Sequence, residues 1–209
     1  MDTASIRVLC ADDHPLILDG VARTIDSTPG IELIAEATNG SEAIEAFRKH
    51  KPDVALIDLK MPVVDGVEAI RTICGMYPRA RCVVLTTYQG DFQATRAFRA
   101  GAVGYLLKTM LRKELIQTIR RVHEGQRCVP QEVASEMTKY FSSDELSPRE
   151  VEVLQTIAGG RSNKCVADTL NISEDTVKGH MRNILSKLGA NDRLDAVLIA
   201  MRRGILSMS

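Results

Sequence analysis

The sequence has no tryptophan, no net charge, no paired-cysteine motif and no long apolar run, and each absence excludes something. Its 27 Lys and Arg balance 27 Asp and Glu, which excludes a globally basic nucleic-acid binder and leaves room only for a local basic face. No uncharged run approaches the ~20 apolar residues that span a bilayer, so no membrane partner is expected. The opening residues Met1-Asp2-Thr3-Ala4-Ser5 lack the basic-then-apolar layout of a secretion signal. Cys10, Cys74, Cys82, Cys128 and Cys165 are odd in number, far apart and form no CxxC pair. A disulfide framework or a zinc site is therefore not expected, and reduced thiols in a cytoplasm are. The remainder, 44% hydrophobic over 209 residues, is ordinary globular composition, long enough for one large or two small domains.

Residues 5–125 alternate short apolar runs with amphipathic segments. The runs are Ile6-Arg7-Val8-Leu9-Cys10-Ala11, Ile31-Glu32-Leu33-Ile34-Ala35, Val54-Ala55-Leu56-Ile57, Cys82-Val83-Val84-Leu85 and Gly104-Tyr105-Leu106-Leu107. Most are too continuous for half-exposed strands, as expected of central parallel strands covered on both faces. Between them lie helical stripes such as Leu18, Val21, Ala22 and Ile25, and Leu111, Leu115, Ile119 and Val122. Asn39 followed by Glu42 has the spacing of a capping box. Five strand–helix units predict a right-handed, doubly wound parallel α/β sheet.

After Gly125 the texture changes. Residues 126–143 carry no strand pattern and are expected to form a linker, with a short helix around Gln131–Phe141. Ser147-Pro148-Arg149-Glu150 supplies an N-cap, a first-turn proline and a glutamate at the third position. Helices are predicted near 147–158, 163–170, 174–188 and 192–203, punctuated by Gly159-Gly160, Asn171 to Ser173 and Gly189 to Asn191. The expected domains are 1–125, α/β, and 144–209, all-α.

Open parallel sheets bind ligands at the carboxyl ends of their strands, and polar residues of this domain gather at such ends. Asp12 and Asp13 follow the first strand, Asp58 closes the third, Thr86 the fourth and Lys108 the fifth. Three carboxylates brought together repel one another and call for a cation. Oxygen donors without a His or Cys cluster favour Mg²⁺, with Mn²⁺ able to stand in, over zinc. Such a metal beside a lysine and a hydroxyl suits the stabilisation of a phosphoryl group in transfer.

Asp12-Asp13, Asp58-Leu59-Lys60-Met61-Pro62 with Asp65-Gly66, Thr86, and Tyr105-Leu106-Leu107-Lys108 together resemble the receiver domain of bacterial two-component response regulators. The resemblance covers residues 5–125 and implies a flavodoxin-like fold with Asp58 as phosphate acceptor. It implies Mg²⁺ held by Asp12, Asp13, Asp58 and the backbone carbonyl of Lys60, and phosphoryl oxygens gripped by Thr86 and Lys108. Tyr105 would turn inward as the switch, and a sensor histidine kinase would be the donor. Such a chain catalyses only its own phosphorylation and dephosphorylation and is no enzyme in the ordinary sense. Among the neighbours, His14 reads either as a metal ligand or as a first-turn polar residue. Lys60 and Tyr88, each two positions past a site residue, either overhang the phosphate or are simply solvated. Cys10, Phe47, Phe98 and Leu107 read as core.

In the C-terminal part, helix 163–170 and helix 174–188 flank the turn Asn171-Ile172-Ser173 in helix-turn-helix layout. Val177, Met181, Ile184 and Leu188 should face the core, leaving Lys178, Gly179, Arg182, Asn183 and Ser186 opposite. Leu146-Ser147-Pro148-Arg149-Glu150-Val151-Glu152-Val153-Leu154, Ser162-Asn163-Lys164-Cys165-Val166-Ala167, Ile172-Ser173-Glu174-Asp175-Thr176-Val177-Lys178-Gly179-His180 and Asn183-Ile184-Leu185-Ser186-Lys187-Leu188-Gly189-Ala190 resemble LuxR-type DNA-binding domains. Both halves together are similar to the NarL/FixJ-type response regulators. That resemblance implies a helix 174–188 in the major groove of double-stranded DNA, with Lys178 and Arg182 near bases or phosphates. Asn163, Lys164, Thr176 and Lys187 become candidate backbone contacts. Gly179 departs from the family pattern, where a larger apolar residue is common, and Cys165 from one that is commonly acidic or polar.

Residues 144–209 hold 9 basic and 9 acidic side chains, so counterion release by a single copy is modest. Two copies on adjacent half-sites are expected instead, with Leu194, Val197, Leu198 and Met201 available for packing or for a dimer contact. The leading expectation is a transcription regulator in which modification of Asp58 promotes dimerisation and exposes the 174–188 helix; RNA polymerase is a further partner of that role. The rival is a Mg²⁺-dependent phosphohydrolase of the haloacid-dehalogenase type. Its Asp nucleophile ordinarily follows the first strand, where this chain reads Asp12-Asp13-His14-Pro15.

Overall fold

A computed structural model describes residues 5–87, 91–131, 133–135 and 146–206. The chain divides into two compact units, one of residues 1–89 and 94–134 and the other of residues 90–93 and 135–209. In the first, β1 (Ile6–Ala11), β2 (Ile31–Ala37), β3 (Val54–Asp58), β4 (Cys82–Thr86) and β5 (Gly104–Leu107) form one parallel sheet in the order β2-β1-β3-β4-β5. Helices α1 (Pro15–Asp26), α2 (Gly40–His50), α3 (Gly66–Met76), α4 (Asp91–Arg99) and α5 (Leu111–His123) fill the crossovers. This is the flavodoxin-like, doubly wound architecture.

The continuity of the apolar runs has the predicted cause. Every residue of β3, β4 and β5 is buried, because helices cover both faces. Val8, Cys10, Val54, Leu56, Val83, Leu85 and Leu106 pack with Leu18, Val21, Ile25, Leu115, Ile119 and Val122 of α1 and α5. By strand alternation Val84, Thr86, Tyr105 and Leu107 lie on the other face. Phe47 and Leu107 are buried as expected, whereas Phe98 is only half-buried.

Two expectations need correction. Asn39 caps α2 by accepting from the Glu42 N–H at 2.9 Å, but the Glu42 carboxylate reaches back to the N–H and hydroxyl of Thr38, one residue upstream of the box partner. And the α/β unit does not end at Gly125. Tyr105 N–H donates to the Cys128 carbonyl at 2.7 Å, and Cys128 N–H to the Val103 carbonyl at 3.1 Å, so the segment read as linker bonds to β5, whose edge would otherwise expose unpaired backbone groups. Cys128 and Val133 are buried with it. Gln131 and Val133–Ser135 are helical; the rest of the expected 131–141 helix, and Asp144, lie outside the described residues.

The second unit holds α6 (Pro148–Ala158), α7 (Asn163–Leu170), α8 (Glu174–Leu188) and α9 (Arg193–Arg202). Ser147 and Glu150 form the full reciprocal capping box. Val153, Leu154, Ile157, Val166, Val177, Ile184, Leu188, Val197 and Ala200 make the core. The α9 stripe splits: Val197 is buried, while Leu194 and Leu198 are 68% and 50% exposed. Among the described residues no helix is long and apolar enough to cross a membrane.

Between β3 and α3 the chain makes a tight turn. Val64 N–H donates to the Pro62 carbonyl at 2.8 Å across Val63, whose φ of 69° puts a β-branched residue in the left-handed region. Gly66 then seats α3 directly on the strand end, where an added Cβ would lie 1.8 Å from the Asp58 carbonyl oxygen. Gly66→Ala should therefore cost at least about 3 kcal/mol of receiver-unit stability. Gly20→Ala, in an α1 position with nothing within 4 Å, should gain up to about 1 kcal/mol. Urea unfolding of the two variants checks the contrast, and equal midpoints would contradict it.

Candidate functional site

Sheet register assembles the first site. Ala11 pairs with Ile57, so Asp12 and Asp58 follow side by side at the ends of β1 and β3. Thr86 pairs with Leu107, which places Lys108 at the end of the neighbouring strand. Asp12, Asp58 and Thr86 are buried. The Lys108 ammonium reaches between the carboxylates, 2.7 Å from Asp12 Oδ2 and 2.9 Å from Asp58 Oδ2. Asp12 Oδ2 is buried, with this ammonium as its partner.

Acidic donors continue toward solvent. Asp12, Asp13, His14 and Asp58 offer ligand atoms all within 4.8 Å of one another. His14 Nδ1 lies 2.7 Å from Asp13 Oδ1 and 3.2 Å from Asp12 Oδ1, and its backbone N–H donates to Asp12 Oδ1 at 3.0 Å. It thus sits against the carboxylates while remaining largely exposed. Three carboxylates against one ammonium leave two negative charges uncompensated when His14 is neutral.

The protonation behaviour follows. Burial, together with the Asp12 charge, pushes the Asp58 carboxyl above its ordinary value despite Lys108 and a hydrogen bond from the Lys60 backbone. Burial opposes the Lys108 charge, but the two carboxylates outweigh it and hold the ammonium above its usual range. Tyr105 is buried, with its ring centroid 6.2 Å from that of Phe98. Burial, and then the Asp58 charge, push its phenol well up. Tyr105 thus already lies inward in the absence of a phosphoryl group. Lys60 is exposed, and Tyr88 lies outside the described residues. Cys10 is fully buried behind Asp12, as packing requires. Gly66, which abuts Asp58, has a local sequence signal, a glycine at the first helical position immediately after the capping Asp65.

The second candidate surface is α7–turn–α8. Ser162 caps α7 and Ser173 caps α8, and Asn171 turns the chain with φ 52°. Val177, Ile184 and Leu188 of α8 are buried, and Met181 packs partly against them. Lys178, Arg182, Asn183 and Ser186 are exposed opposite. Gly179 opens a notch in that face, with nothing within 4 Å of an added Cβ. Lys164 is exposed and Asn163 half-buried. Thr176 Oγ1 lies 2.8 Å from Ser173 Oγ, and the Lys178 ammonium 2.9 Å from Asp175.

Lys187, a candidate backbone contact, has a partner within its own unit. Its ammonium lies 2.9 Å from Glu150 Oε2, tying the end of α8 to the capping box of α6. Ser147 and Glu150 are legible as a box because they are three apart. The tie to Lys187 spans 37 residues and leaves no local signal. Burial would raise the Glu150 carboxyl, but hydrogen bonds from Lys187 and Ser147 outweigh it and hold it below its ordinary value. A depressed folded-state pKa contributes stability that is fully present above the unfolded value and lost as pH falls through the folded one. Glu150→Gln should therefore cost about 1 kcal/mol near pH 7, where Lys187 remains partly solvated. The difference from wild type should be full above the ordinary carboxyl range and shrink progressively as pH falls through and below it. Thermal melts across that range check it, and a constant offset would contradict the tie.

Comparison with known proteins places both halves. Residues 8–120 match the model described as "Response regulator receiver domain", and residues 144–200 the one described as "Bacterial regulatory proteins, luxR family". The chain is 35% identical over 222 residues to the transcriptional regulatory protein DegU of Brevibacillus brevis, covering 95% of this chain and 94% of that one. Among solved structures it is similar to the response regulator ChrA of a heme-sensing two-component system, with 36% identity, 97% and 100% coverage and a TM-score of 0.58. It is also similar to RcsB from Salmonella enterica serovar Typhimurium, solved bound to promoter P1flhDC in the presence of phosphomimetic BeF3⁻. There the identity is 25%, the coverage 93% and 97%, and the TM-score 0.71.

Proposed function

We propose, from the premise that this chain belongs to the response regulators joining a receiver domain to a LuxR-type DNA-binding domain, that Asp58 is its phosphate acceptor and α8 its DNA-reading helix. The observation that carries the first half is the uncompensated charge of the Asp12, Asp13 and Asp58 cluster around Lys108. The donor set fits a hard divalent cation: carboxylate oxygens carrying more negative charge than Lys108 balances. Asp12, Asp13, Asp58 and the Lys60 carbonyl would hold Mg²⁺, or Mn²⁺ in its place. Once bound, the ion supplies charge neutralisation for the carboxylates and the incoming phosphoryl oxygens.

The chain's own residues do the rest. An Asp58 oxygen attacks phosphorus, and the bond from phosphorus to the phosphohistidine nitrogen of a sensor kinase breaks. Burial keeps that carboxylate more basic than an exposed one, which favours the nucleophile once its charge is balanced. Lys108, already on Asp58, follows the new negative charge onto the phosphoryl oxygens, and the Thr86 hydroxyl donates to them from the adjoining strand end. Tyr105, on the Thr86 face of the sheet, occupies the space behind. This change promotes dimerisation and frees α8 for double-stranded DNA.

On the DNA side, Lys178 and Arg182 lie one turn apart on the exposed face of α8 and meet the major groove together. The Gly179 notch between them admits the groove wall closely. Asn163, Lys164 and Thr176 serve the phosphate backbone. Lys187 supports the helix through Glu150 and adds its charge at the rim. Glu174 and Asp175 favour the start of α8 as a helix but repel phosphates there, so contact concentrates from Lys178 onward. Two half-sites supply the affinity that a charge-neutral module lacks, and the bound dimer would be the form that meets RNA polymerase.

The acceptor is tested on the full-length chain with a small acyl phosphate and Mg²⁺, read by intact mass. Wild type should gain one hydroxylamine-labile phosphoryl group, while Asp58→Asn and wild type in excess chelator should gain none. A labelled Asp58→Asn variant would overturn the assignment.

A further inference from the structure

The receiver mechanism leaves two thiols unused. Cys74, near the end of α3, and Cys82, the first residue of β4, hold their sulfurs 3.9 Å apart across the helix–sheet interface. Strand alternation explains the meeting. Val83 and Leu85 face α1 and α5, so Cys82 faces the other layer, where α3 lies. On its far side Cys74 fits the notch left by Gly101, whose φ is 113°. A Cβ there would come within 2.8 Å of the Cys74 sulfur. The Cys74 Sγ also lies 3.6 Å from the Gly101 carbonyl, so the thiol is seated between two fixed partners. The remaining cysteines differ in kind. Cys10 and Cys128 are buried, and Cys165 is exposed on the other unit.

We propose that Cys74 and Cys82 form a redox modification site, at which a hydroperoxide converts the thiol pair into an intramolecular disulfide joining α3 to β4. The two sulfurs have complementary exposure. Cys74 is half-exposed and within reach of a small oxidant, while Cys82 is fully buried. Their protonation divides the same way. The hydrogen bond shared between the two sulfurs lowers the Cys74 thiol from its ordinary value, and that same bond together with burial raises Cys82. Cys74 is thus the thiolate nucleophile and Cys82 the resolving thiol.

The steps balance. The Cys74 thiolate attacks one peroxide oxygen, the O–O bond breaks, and the departing hydroxide takes up the proton released when Cys74 ionised. Cys74 is left as a sulfenic acid. The Cys82 sulfur then attacks the sulfenic sulfur, the S–O bond breaks, and the Cys82 proton leaves with the hydroxide as water. Two thiols lose two electrons in all, and one hydrogen peroxide becomes two waters. Closing the sulfurs from 3.9 Å to the ~2.05 Å of a disulfide draws the Cys74 side chain away from Gly101 toward the strand. The bond closes the short loop that links α3 to β4, whose ends the fold already holds together.

The test is peroxide treatment of the reduced, full-length protein, followed by alkylation of free thiols and peptide mapping by mass spectrometry. Wild type should give a Cys74–Cys82 cross-linked peptide, with Cys10 and Cys128 still alkylated. Cys82→Ala should stop at a sulfenic acid on Cys74 that dimedone captures, and Cys74→Ser should leave Cys82 unoxidised at the same dose. Circular dichroism confirms that each variant is folded. Should Cys82→Ala prove unfolded, wild type alone decides, since time-resolved dimedone capture must then find Cys74 before the cross-link appears. Recovery of both thiols fully alkylated, or pairing of Cys74 with any other cysteine, would overturn the proposal.

Discussion

Asp12 and Asp58 are buried side by side and share the single ammonium of Lys108. A carboxylate in low dielectric demands a partner, and one lysine between two of them, with Asp13 close by, leaves negative charge that the protein itself does not neutralise. The rest of the receiver unit serves to hold this arrangement. The parallel register brings four strand ends to one edge, Gly66 lets α3 bear directly on the Asp58 backbone, and the Val63 turn closes the intervening loop. A cluster with unsatisfied charge is poor as a stabilising element and well suited to bind a cation and to change when its charge changes.

The DNA-binding unit follows a different logic. Its net charge is zero, and even Lys178 has an acidic neighbour in Asp175, so electrostatic attraction over distance is weak. What the fold supplies is alignment. Serine caps start α7 and α8, the Glu150–Lys187 pair fixes the far end of α8, and Gly179 lowers the profile of the exposed face. Oriented contact in duplicate takes the place of charge, and the exposed Leu194 and Leu198 of α9 leave apolar surface available for a second copy.

Much of this is legible in the sequence because it is local or periodic. The five apolar runs became the five strands. The Ser147-Pro148-Arg149-Glu150 segment became the full capping box. Asp12, Asp13, Asp58, Thr86 and Lys108 could be gathered from sequence position alone, because strand ends in a parallel sheet share one edge. What escaped depends on contacts distant in sequence or on backbone alone. Cys128 bonds to β5 through main-chain groups that no side-chain pattern announces, so the α/β unit runs past Gly125. Glu42 could cap two adjacent N–H groups, and only geometry selects Thr38. The Glu150 partner of Lys187 lies 37 residues away, so no neighbouring residue announces the pair. Leu194 and Leu198 belong to the same stripe as Val197, yet the core has room for only part of it.

The account stands or falls on a coupling between charge at Asp58 and DNA contact by α8. The direct measurement is the affinity of the full-length protein for a DNA fragment selected from a random pool, with and without Mg²⁺ and beryllofluoride as a phosphoryl mimic. Binding should tighten by about 5- to 150-fold, the usual span of a coupled pair of sites. A mimic that occupies the acidic cluster and leaves DNA affinity unchanged would contradict it.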